Sequence, residues 1–100
     1  MVSLKELEQV VSSARKLNLK IIIRFRKTRN SILIDKEIKA LDEYGKVTSW
    51  SRAFSIPPNQ AIDTYTISSI EVLCGDEVIA AFNRWSDLLR SLNTLQRCET

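Results

Sequence analysis

The stretch LKIIIRFRKTRNSILIDKEIKALD, residues 19–42, decides how the rest of the chain is read. In its first part Leu19, Ile21, Ile23 and Phe25 alternate with Lys20, Ile22, Arg24 and Arg26. That period of two places alternate side chains on opposite faces of an extended strand. In its second part Ile32, Ile34, Ile38 and Ala40 alternate with Leu33, Asp35, Glu37 and Lys39. A tight turn at Thr28-Arg29 pairs Phe25 with Ile32 and Ile23 with Ile34 on an inner face. The outer face then sets Lys20 opposite Glu37, so the charge pattern and the apolar pattern agree on one register. Strands are expected over 19–27 and 31–42.

Upstream, the period lengthens to that of a helix. Leu4, Leu7, Val10, Val11, Ala14 and Leu17 share one face, and Ser3-Leu4-Lys5-Glu6 has the form of a capping box. Asn18 suits the left-handed conformation that ends a helix, which sets the first helix at 4–17. Downstream, Asp42-Glu43-Tyr44-Gly45-Lys46 reads as a type I turn closed by a glycine bulge. It pairs Asp42 with Lys46, Ala40 with Thr48 and Ile38 with Trp50, and starts a third strand over 47–54. Trp50 and Phe54 are then core residues, and Tyr44 is the exposed aromatic at the turn tip.

Pro57-Pro58 stops that strand, and a fourth is expected over 63–74. Tyr65 and Ile67 keep one phase while Ile70, Val72 and Cys74 keep the other, so Ser68-Ser69 has to absorb a slip. Gly75-Asp76 is a two-residue hairpin turn leading to a fifth strand over 77–82. It pairs Leu73 with Val78, Val72 with Ile79 and Ile70 with Ala81. Trp85, Leu88, Leu89, Leu92 and Leu95 mark a last helix over 86–96, capped by Ser86 or Asn83. The fold class is α+β: an N-terminal helix, a strongly bent five-stranded antiparallel sheet able to curl into a small open barrel or to stay flatter with both helices on one face, and a C-terminal helix, all in one domain of 100 residues. In strand order alone this resembles Sm-like and other SH3-like barrels. The glycine- and asparagine-containing motifs of Sm proteins are missing, and no residue role carries over.

Composition narrows the function. The chain has no histidine and two cysteines, 44% apolar and 27% charged residues, and a net charge of +3. Without histidine the commonest general base and nitrogen ligand are gone, and no catalytic or metal-ligating set and no cofactor site is assigned. Cys74 reads as a small core residue and Cys98 as a free thiol in a polar tail. With no apolar run long enough for a membrane or a signal peptide, a soluble, cytoplasmic protein is expected. Asp35, Glu37 and Lys39 have the acid-x-acid-x-lysine spacing of a strand in metal-dependent nucleases, but the further acid of such a site is absent upstream. Alternating charge on a solvated strand face explains the pattern better.

Two features point to binding. Residues 15–29 hold seven basic side chains and no acid, leaving the other residues at a net −4. Lys20, Arg24, Arg26, Lys27 and Arg29 form the candidate nucleic-acid-binding set, a cationic hairpin able to follow a phosphate backbone. Ile22, Leu33, Leu73 and Val78 fall on the face opposite the core, a second apolar surface that needs a cover. The preferred expectation is a small non-enzymatic protein-binding or accessory domain, a homodimer or the partner of another protein, suited to a regulatory or mobile-element product. Nucleic-acid binding through the basic hairpin is the alternative.

Overall fold

The computed structural model describes residues 1–99. In chain order it contains α1 (Leu4–Leu17), β1 (Lys20–Phe25), β2 (Ser31–Ile34), β3 (Ile38–Leu41) and β4 (Val47–Thr48). These are followed by α2 (Trp50–Ala53), α3 (Pro58–Thr64), β5 (Ile67–Cys74), β6 (Glu77–Phe82) and α4 (Trp85–Ser91), with a 3-10 turn over Leu92–Thr94. The strands form one antiparallel sheet in the order β4-β3-β2-β1-β5-β6. It is open, with β4 and β6 at its edges, so of the two arrangements the sequence allows it takes the flatter sheet and not the small barrel. It also has six strands rather than five.

The first helix follows its sequence signals. The Ser3 hydroxyl accepts from the Glu6 amide, the Glu6 carboxylate accepts from the Ser3 amide, and Asn18 ends the helix at φ 56°, ψ 42°. Leu7, Val10 and Ala14 are its buried face.

The expected strand 31–42 is two strands. Asp35 Oδ1 accepts from the amides of Lys36 (2.5 Å) and Glu37 (3.2 Å), and the Asp35 amide donates to the Glu37 carbonyl (3.1 Å). The aspartate thus stabilises a tight turn through its own neighbouring backbone. Ile34 pairs with Ile38 across it. Because those residues are an even number apart, the alternation passes through the turn in phase and hides it.

The β1–β2 register is also shifted by two. Ile23 pairs with Ile32 and Ile21 with Ile34, not Phe25 with Ile32. The Arg26 amide donates to Thr66 and the Asn30 side chain to Ala53, so β1 stops pairing with β2 after Ile23 and the chain crosses by a longer loop. Lys20 therefore no longer lies opposite Glu37, and on its other side it pairs with Leu73 of β5.

Beyond β4 the expected strand 47–54 gives way to the single turn α2, in which Trp50 stacks on Phe54 with ring centroids 4.6 Å apart. Residues four apart share a face in a strand and in a helix alike, so their spacing does not discriminate. The first part of the expected strand 63–74 belongs to α3, which Pro58 opens at a position where a missing amide costs nothing. The slip at Ser68-Ser69 is present: Arg24 pairs with Ser69 and Phe25 with Ile67, leaving Ser68 bulged. The β5–β6 hairpin turns at Gly75-Asp76 and pairs Leu73 with Val78, but Val72 pairs with Ala80 rather than Ile79. The last helix starts at Trp85 and shortens to Ser91, with Arg84 as its N-cap and no side-chain capping bond from Ser86 or Asn83.

Both cysteines depart from expectation, because Cys74 and Cys98 form a disulfide. The tail reaches that position through two further contacts. The Cys98 amide donates to the Leu17 carbonyl (2.8 Å), and Asn18 Nδ2 donates to the Cys98 carbonyl (3.4 Å).

One core cluster contains Ile21, Ile23, Ile32, Ile34, Ile70 and Val72 of the sheet with Leu7, Val10, Ala14, Ala61, Ile62, Trp85 and Leu88 of the helices. Burying each large aliphatic side chain contributes roughly 1.5–3 kcal/mol. Every buried residue of α1, α3 and α4 belongs to that cluster, so these helices lie against one face of the sheet.

Candidate interaction surface

The other face is built from the alternate residues of the same strands. Ile22, Leu33 and Leu73 are half-buried and stand outside the core cluster, while Val78 is 45% exposed. Register shows how these four relate. Ile22 pairs with Leu33, and Leu73 pairs with Val78. Ile22 also pairs with Glu71, two residues before Leu73, which makes Ile22 and Leu73 diagonal neighbours.

The stripe continues the other way beyond these four residues. Leu33 pairs with Lys39, two residues before Leu41, and Leu41 pairs with Val47. Val47–Leu41–Leu33–Ile22–Leu73–Val78 is therefore an unbroken apolar diagonal across all six strands. Val47 is 62% exposed, whereas Leu41 is buried without joining the core cluster. The signal for Leu41 was present in the sequence, since it shares parity with Leu33 and Lys39.

Charge flanks the stripe on both sides. On one side Lys39 pairs with Asp35 (3.5 Å), with Lys20 beyond them; on the other, Arg24 pairs with Glu71. Burial works to raise the Asp35 pKa, but the Glu37 and Lys36 amides and the Lys39 ammonium outweigh it and hold the carboxyl below its usual 3.8. Asp35 is therefore a carboxylate at neutral pH. Asp35 and Glu37 flank a turn rather than a strand, and the described residues contain no group of three or more potential metal ligands.

The basic set is dispersed. Lys20 and Arg24 stand on the uncovered sheet face, and Arg24 is neutralised by Glu71. Arg29 reaches Glu43 (3.3 Å) beside a groove of about 460 Å³ where the β1–β2 loop meets the Asp42–Lys46 turn. Arg26 and Lys27 are exposed and make no ion pair among the described residues. Tyr44 projects at the turn tip, 80% exposed, while Phe54 and Trp85 are buried and Trp50 packs against the core.

No protein family, curated protein or solved structure matches the chain. Among the described residues no helix is long and apolar enough to cross a membrane.

Proposed function

We propose that this is a non-enzymatic protein-binding domain whose working surface is the sheet face turned away from the helices. The observation that carries this reading is the apolar diagonal from Val47 to Val78. A solvated antiparallel sheet normally alternates apolar-in with polar-out. Here six aliphatic residues line up where that rule puts polar ones, and the ion pairs lie to either side of them. An apolar centre rimmed by charge is the usual anatomy of a protein interface.

The test is a photo-reactive amino acid placed at Ile22, with Ser12 on the exposed side of α1 as control. Illumination of the purified protein, and of the same protein in a cell extract, is expected to give protein adducts from position 22 and few from position 12. Equal yields from both positions would refute the proposal. Nuclease-sensitive adducts would refute it in favour of nucleic acid. That second reading draws on the unpaired Arg26 and Lys27. It predicts salt-dependent retention on a nucleic-acid column, lost on changing Arg26, Lys27 and Arg29 to Glu.

A further inference from the structure

We infer that the occupant of the uncovered face is a second copy of this chain, laid face to face about a two-fold axis that runs along the strands between β1 and β2. This rests on the protein-binding reading above and adds the identity and orientation of the partner.

Lys39, Leu33, Ile22 and Glu71 form one row of cross-strand neighbours, defined by direct pairing on β3, β2, β1 and β5. The gap between β2 and β1 is the middle of the sheet, with three strands on each side. Rotation about an axis along that gap exchanges β2 with β1 and β3 with β5 of the second copy. It sets Leu33 over Ile22 of the second copy and Ile22 over its Leu33. At the same time Lys39 faces Glu71 of the second copy, and the reverse. One position further along the strands, Asp35 at the end of β2 comes over Lys20 of the second copy. Lys39 thus meets Glu71, Asp35 meets Lys20 and the central apolar pair meets itself, the two apolar diagonals crossing at that pair.

The perpendicular in-plane axis fails. It turns the same row end to end onto itself, stacking Lys39 on Lys39 and Glu71 on Glu71, and like charges juxtaposed across an interface are strongly disfavoured. An axis along the strands also keeps the two sheets near the aligned packing that twisted sheets adopt, within about 30°. The size is adequate. The six strands present about thirteen outward positions, each about 4.8 by 7 Å, a flat footprint of about 450 Å² per copy that suits a small interface.

The test uses two single variants, Lys39→Glu and Glu71→Lys, with wild type, by sedimentation equilibrium and native mass spectrometry. Wild type is expected to be a dimer. Each variant alone places like charges across the interface twice and is expected to weaken dimerisation by about tenfold or more. Mixed together, they are expected to form a heterodimer at wild-type affinity, because both crossed contacts become attractive. Within one copy, Lys39→Glu also abuts Asp35 and Glu71→Lys abuts Arg24, but mixing leaves those contacts unchanged, so rescue reports the interface alone. A monomeric wild type at millimolar concentration, or variants that fold and fail to rescue one another, would overturn the inference.

Should either variant not fold, the photo-reactive Ile22 protein decides. An adduct of twice the chain mass attached within Ser31–Ile34 supports the inference, and attachment elsewhere, or none, overturns it. Adducts with other proteins alone would overturn the second copy and leave the protein-binding reading standing. No adduct of any kind would remove both.

Discussion

Reducing the Cys74–Cys98 disulfide should cost the fold about 3.4 kcal/mol. The bond closes a loop of 24 residues in sequence separation. In the chain-entropy treatment, a cross-link over that length removes about 11.6 cal/mol/K from the unfolded ensemble, or about 3.4 kcal/mol at 25 °C. In a domain of this size 1 kcal/mol corresponds to about 4–8 °C, so the midpoint should fall by about 15–25 °C. The native state should stay folded on reduction, since the tail keeps its bonds to Leu17 and Asn18 and Leu95 keeps its packing on the core. The assay is thermal unfolding by circular dichroism with and without dithiothreitol, beside a thiol titration in denaturant. Melts that coincide within about 3 °C would refute the reasoning, as would two titratable thiols in the unreduced protein.

Two other perturbations address the core and the turn at Asp35. Ile23 is fully buried on β1, which is hydrogen-bonded on both sides, so Ile23→Ala should destabilise by about 2–5 kcal/mol, read as a lower urea midpoint at unchanged slope. Asp35 has a folded-state pKa below its unfolded value, so its contribution is full above the unfolded pKa and disappears as pH falls through the folded one. Asp35→Asn should therefore be less stable than wild type at pH 7. The two stability curves should converge on acidification below about pH 4, and parallel curves down to pH 2 would refute the assignment.

Local signals transmitted most of the architecture. The capping box and Asn18 fix α1 because every interaction involved lies within one turn of the chain. Gly45 at φ 80° closes the Asp42–Lys46 turn as expected, and the phase change at Ser68 marks a true bulge. What escaped depends on tertiary context or on ambiguous spacing. Cys74 and Cys98 come within disulfide reach only because the tail docks on the end of α1, which no local pattern encodes. For α2 a spacing of four fits helix and strand equally, and for α3 the same prolines that stop a strand also start a helix at Pro58.

The residues of the candidate surface survived these errors for a physical reason. Side chains in a strand repeat every two residues, so a slip of two changes partners but not faces. The β1–β2 register moved by two and the Asp35 turn joins Ile34 to Ile38 across an even interval, so Ile22 and Leu33 kept the face assigned from alternation. An odd slip has the opposite effect, and one occurs. Ile79 is the extra residue of a bulge in β6, and beyond it every side chain changes sides. Ile79 and Ala81, expected inside, are exposed, while Ala80 and Phe82 pack on the core. Val78 precedes the bulge and remains opposite Leu73 on the outer face, so the apolar diagonal ends one residue short of the point where the sheet reverses its sides.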